Sequence, residues 1–494
     1  MNEEAGLKHD QKEEKRQIFK YSTTRTSLSQ DFGKYESRLL LITQLGYIPV
    51  AASMLLSTFA EPSEEFCKTL NSTSHLNRSS KEFYSLSTQF GYTCNPSSTN
   101  TTTIISSLLM WGAMFGSFIC GFLSDFVGRK PVFTGCLAMI SLLNSLLCLS
   151  QFLTWYIISL ILFLLGFFSG GYMVTNFVIL TESLELPKSR LLAVSLNGWS
   201  FSMITTAFIA WSTLHWFFYH ATVSVIALLM AITAASFSFE SCRWLSSNGN
   251  HSSAKKNAMS IRSMNGSHLE IDDTTEMEWF EVLGFSKPIH IDHGKRLIAL
   301  FKDPQLRQAT MVMFYCFLAS SIVSFGFYFS LDVLPGNRFM NLAFMGFFKF
   351  TLGFTPYILS SYLTKRTIVI SSIALCCIAG VVIIPFQFPY LSEFNYVVIV
   401  MSLIVSAGMD PTWKINHLYS AELFPTSVRS MGRGVCNAGG RFGSVIAPMV
   451  AYLRVYNPVY PYAIFSILLL IQIVVVILYL PNDEDKRANE MDEE

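Results

Sequence analysis

The sequence predicts an all-α membrane protein with twelve transmembrane helices in two six-helix halves. Three observations lead there. Of 494 residues, 51% are hydrophobic and only 14% charged, and phenylalanine alone supplies 42, a balance suited to lipid rather than water. Nearly charge-free windows long enough to cross a hydrocarbon core fall at roughly 39–60, 103–124, 131–150, 155–180, 191–212, 217–239, 309–331, 341–360, 367–386, 395–420, 428–453 and 459–480. The halves also echo one another: "TESLELPKSR" closes the fourth span with Glu182 and Arg190, and "AELFPTSVR" closes the tenth with Glu422 and Arg429. Parallel halves of this kind set a ligand between them near the midplane.

The first six spans occupy 39–239 and the last six 309–480, joined by a charged segment, 240–308, that reads as a solvated linker with short surface helices. A polar stretch, 1–38, precedes the first span, so a cleaved signal peptide is not expected and that span inserts as an anchor. This stretch and 481–494 read as disordered tails. Short loops on one side carry Arg129, Lys130, Lys188, Arg190, Lys365, Arg366, Arg429 and Arg433, against Arg338 and Arg454 on the other. The basic side is therefore expected in the cytosol with both termini and the linker, in a multi-pass protein of the plasma membrane.

The loop 61–102 then faces outward. It holds the glycosylation triplets at Asn71, Asn77 and Asn100, whereas proline spoils the one at Asn95. Triplets at Asn250 and Asn265 fall on the cytosolic side and should stay bare. Cys67 and Cys94 share the oxidising outer loop, so a disulfide between them is expected, two free thiols being the alternative. The other cysteines show no metal-like or redox-like spacing, and Cys376 and Cys377 read as core packing. A net charge of +1 favours no polyanionic partner such as nucleic acid. There is no HExxH, no G-x-S-x-G and no pair of intramembrane acids, so neither an enzyme nor a cofactor is expected. The expected partners are the lipid bilayer and a small organic ion.

"GFLSDFVGRK", Gly121 to Lys130, joins spans two and three. It resembles the G-x-L-x-D-x-x-G-R-K loop of the major facilitator superfamily. That resemblance implies the major facilitator fold and a cytosolic charge network of Asp125, Arg129, Glu182 and Arg190, echoed by Glu422 and Arg429, that stabilises an outward-open state. "YSLSTQFGYTC", "ESCRWL" and "AELFPTSVRSMGRGVCN" narrow the likeness to the organic ion transporters of solute carrier family 22. The sequence departs from that family where Cys242 replaces a proline, Leu162 replaces an arginine of span four, and the second-half loop is worn to "SSYLTKRT". The missing arginine weakens a proton-coupled reading and leaves a uniporter or exchanger.

Two bases mark the expected site. Arg441 lies about 18 Å into span eleven and Lys349 about 13 Å into span eight, at 1.5 Å per residue. A lone arginine at that depth costs on the order of 3 kcal/mol, so it needs a wet cavity or a counter-charge. By the family likeness, Arg441 stands where cation carriers have aspartate and anion carriers arginine, and Lys349 where cation carriers have glutamate. A span-eight lysine of anion carriers falls at Gly353, one turn after Lys349. Two midplane bases repel unless an anion lies between them, and guanidinium grips carboxylate or sulfate in pairs of hydrogen bonds. The expected substrate is an amphiphilic organic anion. The residues leave a second possibility, neutralisation by protein acids, of which Asp410 is the main one and can meet Lys414 at i+4.

Tyr172 and Asn176 of span four, Trp199 of span five, and Phe325 and Tyr328 of span seven complete the expected cavity. Lys414 and His417 sit nearer the cytosolic end. Gly439, Gly440 and Gly443 are expected to make room beside Arg441, with Lys349 as its companion across the cavity. Two other functions remain open: an organic cation or zwitterion carrier with Asp410 as counter-ion, and a transport-inactive receptor or scaffold.

Overall fold

The computed structural model describes residues 32–60, 83–90, 96–184, 187–196, 198–266, 301–331, 334, 336–360, 362–388, 395–424 and 429–480, without the side chains of 96–102, 187, 188, 395, 421, 422 and 429–431. Apolar periodicity over windows this long leaves the backbone no partner but itself, so each window becomes a helix. The first six spans are α1 (Lys34–Leu45) with α2 (Tyr47–Met54), α3 (Pro96–Val127), α4 (Arg129–Leu147), α5 (Trp155–Ser183), α6 (Pro187–Ser195) with α7 (Gly198–Thr213), and α8 (Trp216–Phe237). Two short helices follow, α9 (Cys242–Ser247) and α10 (His251–Met264). The last six spans are α11 (Pro304–Phe329), α12 (Arg338–Leu352) with α13 (Thr355–Leu359), α14 (Lys365–Ile383), α15 (Asn395–Glu422), α16 (Arg429–Tyr452) and α17 (Val459–Tyr479).

Ten of these spans are long and apolar enough to cross a bilayer by composition alone among the described residues. The two that are not, the first and the eleventh, fail for reasons visible in the chain. The first is broken at Gly46 into helices of 12 and 8 residues. In the eleventh, Arg429, Arg433 and Arg441 and five glycines dilute the apolar character.

Close packing inside each half rests on small residues, as lipid supplies no hydrophobic drive between helices. Gly112 and Gly116 of α3 face the backbone of Phe163 and Phe167 in α5, and Gly166 and Gly170 of α5 face Leu109 and Ala113 in return. The second half repeats the device: Gly439 and Gly443 of α16 lie against the carbonyls of Phe314 and Leu318 in α11. This corrects the expectation that those two glycines make room for Arg441; they make room for α11. A polar seam also ties the first half, with Asn144 of α4 donating to Ser53 of α2 (3.1 Å) and meeting His220 of α8 (2.8 Å).

Between the halves, α3 packs on α16 and α7 on α12. Advancing each span by six turns one pair into the other, so the interface has the two-fold character expected of repeated halves. The linker is more than a solvated strand. Asn265, just after α10, accepts from the Tyr35 amide (3.0 Å) and donates to Glu36 (2.8 Å), pinning α1. Asn250 caps α10 through the Ser253 amide, so both asparagines of the linker triplets have their side chains engaged in the fold.

The glycine seam predicts a contrast between two positions. Gly166→Ala drives a methyl group into the Leu109 carbonyl, whereas Gly135→Ala enters open space. The first should destabilise by about 1–3 kcal/mol, as overpacking does, and the second should be neutral or stabilising. Thermal unfolding in detergent checks this, and equal melting temperatures for both variants would refute the seam.

Candidate functional site

An aromatic cluster occupies the meeting point of the halves. Trp199, at the start of α7, lies 6.4 Å from Phe325 and 6.5 Å from Tyr328 of α11 between ring centroids. Phe325 and Tyr328 meet each other edge to face at 5.6 Å. These residues are spaced i, i+3 on one face of α11, which is why both reach the same neighbour. From the first span Tyr47 joins them, edge-on to Trp199 at 6.4 Å and to Tyr172 at 5.5 Å. Tyr172 stacks on Phe133 and donates its hydroxyl to the Thr43 carbonyl at 2.8 Å, so it offers the cluster a ring edge and no free hydroxyl. Asn176, one turn further along α5 and almost fully buried, stands beside the Tyr47 hydroxyl, and its Oδ1 has no hydrogen-bond partner.

Sequence reasoning missed Tyr47. The signal was the break "LGYIP" inside the first span, where Gly46 leaves no room for a Cβ because the Tyr172 hydroxyl fills it.

The bases stand around this cluster. The Lys349 ammonium lies 5.4 Å from the Tyr328 ring centre and 3.5 Å from Asp410 Oδ1. Asp410 Oδ2 takes Lys414 at 2.7 Å. The i+4 pairing of Asp410 with Lys414 thus forms, but the expectation that it satisfies Asp410 locally needs correcting: one carboxylate serves two lysines. Arg441 is partly buried, and its guanidinium reaches across to the other half, to Met173 Sδ at 3.8 Å, and acts electrostatically on Tyr47. Among the described residues no carboxylate pairs with it. Both Phe177 of α5 and Phe317 of α11 pack on His417 (5.6 and 4.9 Å), whose Nδ1 is buried without a partner.

The ends of the site are covered on both sides. At one end Phe59 stacks on Phe339 at 5.5 Å, joining spans one and eight. At the other, Phe177 bridges to His417 and lies 5.5 Å beneath Arg433.

At the Gly128 end, the charged loop folds as its composition implies. Arg129 pairs with Asp125 and, at 3.3 Å, with Glu182. Arg190 donates from Nε to the Leu184 carbonyl at 2.9 Å. Glu240, missed as a site residue although it begins "ESCRWL", accepts from the amides of Arg129 (2.9 Å) and Ser241 (2.9 Å) and from Lys130 (3.2 Å). A carboxylate at the first amides of α4 complements the helix dipole. Gly128 has φ of 119°, and a Cβ there would collide with Glu240 Oε2, so both its conformation and its size are required. Trp244 Nε1 donates to the Asp125 carbonyl at 2.8 Å. Burial pushes the Cys242 thiol up to about 11, so the residue standing at the family's proline stays protonated.

Asn71, Asn77, Cys67 and Cys94 lie outside the described residues. The backbones of Asn100, Glu422 and Arg429 belong to α3, α15 and α16, but their side chains lie outside the description as well. Cys376 and Cys377 are buried in the core, as expected.

Comparison with known proteins follows this geometry. The model of the sugar (and other) transporter family matches residues 54–494. Solute carrier family 22 member 15 of Xenopus tropicalis is 27% identical over 382 residues, covering 74% of this chain and 67% of that protein. Solute carrier family 22 member 12 of Mus musculus is 25% identical over 365 residues, 73% of this chain and 64% of that protein. Organic anion transporter 3 of Oryctolagus cuniculus is 25% identical over 373 residues, 75% and 67%. The chain thus spans about two thirds of the length of these relatives. Among solved structures, the inward-open xylose transporter XylE from E. coli superposes with a TM-score of 0.62 at 14% identity, covering 91% of this chain and 97% of that one, a likeness of fold. A family match over most of the chain leads to one conclusion: the protein, which has the major facilitator fold, belongs to the sugar (and other) transporter family, membrane transporters and not enzymes.

Proposed function

We propose that the protein carries amphiphilic organic anions across the plasma membrane by alternating access of its two halves, as a uniporter or exchanger, with the Gly128 end and both termini in the cytosol. The observation that carries this reading is Arg441, a guanidinium deep in the eleventh span with no carboxylate paired to it among the described residues. Among the described residues three bases, Arg441, Lys349 and Lys414, stand against one acid, Asp410, so two positive charges remain for a ligand to meet. Arg441 would grip a carboxylate or sulfate, while Trp199, Phe325, Tyr328 and Tyr47 would hold a ring, with the open Asn176 Oδ1 as a hydrogen-bond acceptor. Resemblance to organic anion transporter 3 supports the same sign of charge. A cation carrier needs Asp410 as counter-ion, and two lysines already hold that carboxylate.

Uptake of 1-naphthyl sulfate into proteoliposomes tests the reading. Arg441→Ala removes a charge-assisted contact of about 1.5–3 kcal/mol, so half-saturation should rise at least roughly tenfold, with Arg441→Lys between the two because an ammonium cannot bind in a fork. An Arg441→Ala protein that transports with wild-type affinity would overturn it.

Alternating access further requires each half to move as a unit, and Glu240 clamps the Gly128 loop to the end of span six. In Glu240→Ala the amides of Arg129 and Lys130 lose a charged acceptor, and their hydrogen exchange should accelerate roughly tenfold or more. Unchanged exchange at those two amides would remove Glu240 from the machinery.

A further inference from the structure

Spans five and eight are both interrupted, and the interruptions lie together. The fifth breaks after Ser195, the last residue of α6, and the eighth at Gly353, which caps the C-terminal end of α12. Each break leaves carbonyl groups without helical partners and the negative end of a helix dipole. One group answers both. The Lys414 ammonium donates to Ser195 O at 3.1 Å, to Gly353 O at 2.8 Å and pairs with Asp410 Oδ2 at 2.7 Å, which uses all three of its hydrogens. Ser195 belongs to the first half, and Gly353, Asp410 and Lys414 to the second.

Gly353 is needed for this, because a Cβ there would collide with Lys414 Nζ and press on Asp410 Oδ2. In discontinuous-helix transporters a cation is coordinated at such half-helix ends; here the chain supplies its own. The same carboxylate also holds Lys349, 3.5 Å away on Oδ1, and Lys349 faces the Tyr328 ring of the aromatic cluster.

We infer that Lys414 is a latch between the halves and that Asp410 couples it to the substrate site. With the site empty, Asp410 divides its charge between Lys349 and Lys414, and Lys414 needs the Ser195 carbonyl to complete its shell. An anion that takes over Lys349 leaves Asp410 to Lys414, which then loses less when the Ser195 carbonyl withdraws. The ligand thereby binds more tightly to the unlatched state, and a differential of that kind is what shifts a conformational equilibrium. Lys414 acts through Asp410 as a positioning residue and does not touch the substrate. The coupling rests on the anion reading proposed above; the latch itself does not.

Ser195→Cys provides the readout, since it keeps the backbone carbonyl and its side chain is fully buried while the latch is closed. Maleimide labelling of this full-length variant, corrected for the parent protein's own cysteines, reports opening. Without ligand, Lys414→Met should raise the labelling rate at least fivefold; an unchanged rate overturns the latch. Saturating 1-naphthyl sulfate should raise it several-fold in the parent and leave it unchanged in Asp410→Asn. Because Asp410→Asn leaves two buried lysines unpaired and can misfold, Asp410→Asn/Lys414→Met serves beside it, with labelling expected to be fast and indifferent to the sulfate. Binding is followed separately by the shift in melting temperature. Binding with an equal labelling response in Asp410→Asn overturns the coupling alone, whereas a parent that does not bind the sulfate overturns the anion reading and the coupling with it, leaving the Lys414→Met result to decide the latch.

Discussion

Ionised side chains held at the centre of a bilayer are costly unless something polar surrounds them, and the arrangement of Lys349, Asp410, Lys414 and Arg441 is the constraint to which the rest of this molecule answers. Three of the four satisfy one another: a single carboxylate lies between two ammonium groups, and two helix ends supply carbonyls to one of them, Lys414. The fourth, Arg441, reaches a thioether and has no carboxylate paired to it among the described residues. A cluster that closes on itself stands beside a guanidinium that does not, and the anion reading proposed above rests on that asymmetry.

The helix breaks have the same origin. An unbroken fifth or eighth span would offer Lys414 no carbonyl, and the ammonium would stand in hydrocarbon with half a counter-charge. The price is paid at seams where helices pass unusually close. Gly346 of α12 lies against the Ser200 carbonyl of α7, just beyond the break in span five, so the halves touch through backbone at one level and through Lys414 at the next. Bulky side chains in this seam would separate the helices and pull the ammonium from Ser195.

How far the sequence revealed this depends on the range of the interaction. Span number and bundle architecture were legible because hydropathy over about 20 residues is a local property. The pairing of Asp410 with Lys414 was legible for the same reason, being i, i+4 on one helix. Lys349 with Asp410 stood only as the alternative of neutralisation by a protein acid, since the contact joins helices 61 residues apart in the chain and no spacing rule reports it. The roles of Gly439 and Gly443 were misread because their neighbour Arg441 drew the interpretation, while their real partner, the α11 backbone, has no signature in the sequence. Tyr172 and Asn176 were read as one face of span four, but that the hydroxyl of the first is committed to Thr43 depends on the break at Gly46. Trp199, Phe325 and Tyr328 could be grouped by facing alone, and they meet.

The two charged assemblies toward the Gly128 end have different mechanical consequences. Arg129, Asp125, Glu182, Glu240 and Trp244 join the ends of spans two, three and four to the segment after span six, all within the first half. Under the alternating access proposed above those contacts persist, because all of them lie within the first half and hold it as a unit. Lys414 and Ser195, by contrast, lie on opposite sides of the interface between the halves, as do Arg433 and His417 against Phe177, and under the alternating access proposed above these contacts break on opening at that end. A rigid half concentrates the conformational change at the interface, where few groups must exchange partners. Lys414 is the one among them that shares a counter-ion with Lys349, and the coupling inferred above rests on that shared carboxylate.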